Sequence, residues 1–148
     1  MNSIVSSANQ GQSMTSPGFK IFALTLKILG VGLWVTYLVY LPMPELFQNK
    51  AALQLAGLIE PGMVFYSLAT AGAAFMVWGK IISQFDGRGV SRQSLLRASA
   101  LGMWMLALMR LGTSMFPHGP FQELLALPIG EFTVFTLIAI VLQRAARS

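Results

Sequence analysis

The chain has 148 residues, 55% of them hydrophobic and 10% charged, with a mean hydropathy of +0.65, whereas a soluble domain carries about 25% charged residues. Four spans of ~20 residues would occupy most of it, which excludes a separate soluble domain, and the lack of cysteine excludes disulfides, thiolate metal sites and cysteine nucleophiles. The net charge of +5 and the pI of about 10.1 come from basic residues split among helix ends, not from one stripe with interleaved aromatics, so membrane topology accounts for them better than nucleic acid does.

Residues 1–18 begin with a Ser-, Asn-, Gln- and Gly-rich stretch too polar to bury anything, and are expected to form a flexible tail ahead of a four-span domain over 19–148. The first span is expected at about 21–41: it follows Lys20, is interrupted only by Lys27, and ends at Pro42 and Pro44, which stop a helix. This apolar run is too long for a signal peptide and lacks a small-residue cleavage site, so the segment is expected to stay in the mature protein. Pro61 and Gly62 introduce the second span, at about 63–82, with Lys80 near its end. Phe85 to Gly89 reads as a glycine turn, and Ser91 as the N-cap of a helix that carries Arg92 and Arg97 before the third span, at about 98–116. Pro117-His118-Gly119-Pro120 makes a tight connection to the fourth span, at about 124–143. The expected fold class is therefore all-α, an integral membrane four-helix bundle.

Lysine and arginine concentrate in cytoplasmic loops. Lys20, Lys80, Arg88, Arg92, Arg97, Arg144 and Arg147 would share one side of the bilayer, with Lys50 alone on the other. Both termini are thus expected in the cytoplasm, and the short loops suit the inner membrane of a bacterium. Trp34, Tyr37, Tyr40 and Trp78 suit an interfacial aromatic belt, while Trp104 is too central and is expected to pack or to face lipid.

Two ionisable residues fall inside the expected hydrocarbon layer, Arg110 and Glu131, and each alone would cost ~2.5–3.5 kcal/mol at a helix centre. They are equidistant from the connection between spans three and four, which places both about 10 Å below the outer boundary and makes an Arg110–Glu131 ion pair available. One reading of the pair is a proton or substrate relay; the favoured one is a staple between helices, or an Arg110 that snorkels outward without Glu131. Pro128 and Gly130 precede Glu131. Either Pro128 kinks span four, freeing the carbonyl of Leu124, or it begins that span, with Glu131 a first-turn acid. His118 with Glu123 falls far short of a metal shell, and no phosphate-binding, zinc-protease or serine-hydrolase pattern occurs, so no cofactor, metal or catalytic residue is expected.

Small residues suited to close helix approach occur at Gly30 and Gly32 in span one, Ser67 and Ala71 with Ala69 and Ala73 in span two, and Ala98 and Gly102 in span three. Met103, Met105 and Met109 offer either an adaptable partner surface or ordinary apolar filling.

The order Phe85-Asp86-Gly87-Arg88-Gly89-Val90-Ser91, then Leu96-Arg97-Ala98, then Gly102 resembles the middle of an uncharacterised bacterial family of small four-span membrane proteins. The resemblance runs over about residues 62–147 and implies an inner-membrane protein with no assigned activity. Three function classes are expected in this order. The first is a non-catalytic protein acting through helix contacts in the bilayer: an accessory subunit, a regulator, or an immunity protein against a membrane-targeted toxin. The second is a small, oligomeric proton-coupled transporter using Glu131 and Arg110. The third is a membrane enzyme, ranked last for want of any nucleophile or cofactor motif.

Overall fold

The computed structural model describes residues 17–47, 61–85, 89–117, 119–122 and 126–148. Tail residues 1–16 and Lys50, Arg88, His118, Glu123 and Leu124 lie outside the described residues. Four long helices, α1 (Pro17–Tyr40), α2 (Pro61–Ile82), α3 (Arg92–Met115) and α4 (Ala126–Ala145), are joined by connections that include two single 3-10 turns at Pro44–Phe47 and Gly119–Gln122. Even the shortest helix, with 20 residues, reaches ~30 Å at 1.5 Å per residue, the thickness of a hydrocarbon core.

Several helix ends differ from the expected spans. α1 begins at Pro17, taking Pro17 and Gly18 from the expected tail, because a proline at the first helical position loses no hydrogen bond. Pro61 opens α2 in the same way, ahead of the expected Met63. Ser91 caps α3: its backbone is extended at φ −65° and ψ 150°, and its Oγ accepts the Ser94 N–H at 3.1 Å. Gly89, at φ 96°, supplies the turn before it.

Burial runs opposite to that of a water-soluble bundle. α1 buries Ala23, Gly30, Tyr37 and Tyr40, while Ile21, Phe22, Leu24, Ile28 and Leu29 face outward. α4 buries only Pro128 and Ala139 and exposes Leu127, Ile129, Val134, Leu137, Ile138 and Val141. Small residues on the inner seams and large apolar ones outside are the arrangement of helices solvated by lipid. Each of the four helices is long and apolar enough to cross a bilayer. The chain is a multi-pass membrane protein.

The helices form two antiparallel hairpins, α1 with α2 and α3 with α4, which meet mainly along α2 and α3. In the first hairpin a Cβ on Gly30 would lie 2.6 Å from the Gly72 carbonyl oxygen, and one on Gly72 would lie 2.7 Å from that of Gly30. Seven residues from these, a Cβ on Gly79 would lie 2.8 Å from the Ala23 carbonyl oxygen. The seam on α2 thus runs through Ala69, Gly72 and Gly79, whereas Ser67, at the head of the expected four-residue row, is exposed. A strict four-residue row drifts about 40° around the helix per step, while an antiparallel seam alternates three- and four-residue steps. Gly32 has nothing within 4 Å of where its Cβ would be and faces away from the seam.

The expected aromatic belt also turns inward. Tyr37 and Tyr40 are 2% and 8% exposed, and Trp34 donates its indole N–H to the Met105 carbonyl of α3 at 3.1 Å. The polar tips of Trp34 and Tyr37 find partners inside the protein, so they have no need of the headgroup layer. Trp78 is the member of that set that points outward, and Trp104 is half-buried. At one end of the first hairpin Tyr40 stacks on Phe65 and Phe47 meets both edge-on, with ring centroids 4.8–5.9 Å apart.

Candidate functional site

Arg110 leaves α3 five residues before its end, and Glu131 leaves α4 five residues after its start. Antiparallel packing puts them level, and Arg110 Nε lies 2.8 Å from Glu131 Oε2. The Nε–H is not aligned on that oxygen, so the contact is ionic without being a hydrogen bond, and Oε2 is buried with no donor aimed at it among the described residues. The Arg110 side chain is 12% exposed and that of Glu131 32%, so the arginine is turned into the bundle and does not snorkel outward.

Two aromatic rings complete the setting. The Arg110 guanidinium carbon stands 4.2 Å from the centre of the Tyr66 ring of α2 and 5.9 Å from that of Phe135 of α4. A desolvated cation over a ring face gains about 2 kcal/mol, which offsets part of the cost of holding arginine below the membrane surface. Arg110 therefore ties α2, α3 and α4 together. Tyr66 meets the Phe121 ring of the α3–α4 connection at 5.4 Å, and meets Tyr37 of α1 edge-on at 5.9 Å.

The Tyr37 hydroxyl lies 2.7 Å from Thr113 Oγ1 in the buried interior. Because Thr113 donates its own hydrogen to the Met109 carbonyl at 2.8 Å, Tyr37 is the donor of the pair. A polar thread thus runs from α1 to α3 one turn beyond Arg110. Thr136 Oγ1 of α4 is buried without a hydrogen-bond partner among the described residues.

Pro128 is the third residue of α4 as described and is fully buried, in the first turn, where amide hydrogens have no intrahelical acceptor. Glu131 falls in the second turn and not the first, so the helix dipole contributes little to it, because that effect fades within one turn. Gly130 is exposed, with nothing within 4 Å of its Cβ position. Lys80 occupies the last turn of α2, while Arg92 and Arg97 are exposed at the start of α3. None of these three basic residues approaches the ion pair: antiparallel packing places them at the opposite end of the bundle.

Sequence reasoning did not find Tyr66, Phe135, Tyr37 or Thr113 as parts of this cluster. The available signal was spacing. Phe135 lies four residues after Glu131 and Thr113 three after Arg110, so each shares a helix face with a residue of the pair. Among the described residues no group of three or more His, Asp or Glu side chains comes together to hold a metal ion. Compared with known protein families, with curated proteins and with solved structures, the chain gives no match.

Proposed function

We propose that this is a non-catalytic protein of a bacterial inner membrane that acts by docking a transmembrane helix of a partner protein, as an accessory subunit, regulator or immunity-type protein does. The observation that carries the reading is a groove of about 280 Å³ along the outer side of the α2–α3 seam, lined by Thr70, Ala73, Ala74, Ser99, Gly102 and Met103 among others. Small and hydroxyl-bearing residues are those at which helices approach closely in lipid, and methionine adapts to an incoming surface. The main interior polar groups support it too. Tyr37, Trp34 and Arg110 each serve a contact within the chain, which leaves little for chemistry on a substrate.

Both termini are assigned to the cytoplasm. Lys20 and Arg92 stand in the first turns of α1 and α3, where the positive end of the helix dipole disfavours a cation, so local helix energetics do not explain them, whereas the positive-inside rule does.

The test is a gentle-detergent purification of the tagged protein from its own membrane, beside two variants. Ala74→Phe fills the exposed groove, and Glu131→Gln removes the carboxylate charge while Arg110 keeps its own. A stoichiometric partner that is retained by wild type and Glu131→Gln but lost from Ala74→Phe supports the proposal; a partner indifferent to Ala74→Phe contradicts it.

One observation favours a second reading, a small proton-coupled transporter: Arg110 and Glu131 touch without a hydrogen bond, and a carboxylate beside a cation within the membrane marks ion pathways in many membrane proteins. Under that reading Glu131→Gln abolishes coupled flux in proteoliposomes, while Ala74→Phe leaves it intact.

A further inference from the structure

The end of the bundle where α1 and α3 begin and α2 and α4 finish carries Lys20, Lys27, Lys80, Arg92, Arg97, Arg144 and Arg147, and among the described residues no acid lies at that end. Lys27 is the unusual member, because it leaves α1 well inside the helix. Its stem runs over Gly79 of α2, where a Cβ would lie 2.8 Å from Lys27 Cγ, and its ammonium reaches Ser83 Oγ at 2.9 Å. Ser83 is held in turn by donating to the Lys80 carbonyl at 2.8 Å. The absence of a side chain at Gly79 therefore lets a membrane-embedded lysine deliver its charge to the level where α2 ends.

An ammonium has three donors, and this one meets a single neutral acceptor, with no carboxylate paired to it among the described residues. At the same corner Phe19 of α1 and Ile81, Ile82 and Phe85, at the end of α2 and just beyond it, line a wholly apolar groove of about 200 Å³. Phe19 and Phe85 are each about half exposed.

We propose that this corner is a binding site for one anionic phospholipid, its phosphate on the two remaining donors of the Lys27 ammonium, and an acyl chain in the Phe19–Ile81–Ile82–Phe85 groove. The complementarity is specific in kind: a phospholipid joins a phosphate to apolar chains, and this corner holds a cation on Ser83, the residue that follows Ile82 of the apolar groove. An acidic peptide would satisfy the lysine but leave the groove empty. The excess of cations at this end draws anionic headgroups to it.

The test uses the full-length protein in nanodiscs of phosphatidylcholine alone or mixed with phosphatidylglycerol, with thermal unfolding as the readout. Phosphatidylglycerol is expected to raise the unfolding midpoint of wild type. Lys27→Gln should lose most of that lipid-dependent gain, and Arg147→Gln, an exposed cation at the same end, should keep it. Equal losses in the two variants, no gain in wild type, or the same gain from inorganic phosphate added to phosphatidylcholine discs would overturn the proposal. Should Lys27→Gln not fold, phosphatidylglycerol with a photoreactive acyl chain decides on wild type alone. Adducts on Phe19, Ile81, Ile82 or Phe85 support the site; adducts spread over the outer face of α4 contradict it.

Discussion

Tyr37 carries a hydroxyl to a position that is 2% exposed, and its partner there is Thr113, 76 residues away in the chain. Tyr37→Phe removes one neutral hydrogen bond and is expected to destabilise the fold by about 1 kcal/mol in detergent unfolding. Thr113→Val keeps the shape but leaves the tyrosine hydroxyl unpaired, so its cost should be larger, about 1–3 kcal/mol. Equal stability of both variants with wild type would exclude the bond as a structural element. The ion pair calls for a cycle of variants. Arg110→Leu strands a half-buried carboxylate and should destabilise, whereas Arg110→Leu with Glu131→Leu replaces the pair by apolar volume and should recover most of the loss. Both members of this pair stood out in the sequence, because a charge inside an apolar run is conspicuous and equal distance from a connection gives equal depth. Tyr66 and Tyr37 did not stand out: an aromatic residue near a helix end serves equally in an interfacial belt or an interior cluster, and only tertiary contacts decide between them.

At the scale of a helix, the four apolar runs and the proline and glycine breaks between them were enough to place all four spans. Their ends were less readable, since Pro17 and Pro61 are as apt to start a helix as to precede one. The face on which α2 packs was misread for a related reason. Alanine, glycine and serine occur all round that helix, and small size alone does not say which of them meets a neighbour. The Gly30–Gly72 crossing now makes that choice testable. Gly30→Val would force a side chain against the Gly72 backbone and is expected to cost about 3 kcal/mol or more, or to separate the hairpin. Gly32→Val, two residues away with open space around it, should stay within about 0.5 kcal/mol of wild type. Comparing the two by unfolding in mild detergent checks the seam, and similar losses would mean that α1 presents another face to α2.

For the whole molecule, alternation of the four helices puts α1 and α4 ends on the same side, whichever way the protein is inserted. Under the proposed orientation, the basic residues select the direction. The chain has no cysteine, so single cysteines report topology without background. Ser3→Cys and Ser148→Cys are expected to react with a membrane-impermeant maleimide only after permeabilisation, and Lys50→Cys in intact cells; the reverse pattern would invert the assignment. The proposed docking function rests on the α2–α3 groove, and the most direct measurement is photo-crosslinking in the native membrane. A photoreactive residue replaces Met103 in the groove or Val141 on the lipid-facing side of α4, where the side chain is 64% exposed. A discrete protein adduct from position 103 and none from 141 is the predicted result. No protein adduct from either, or the same adducts from both, would contradict a docking function for the groove.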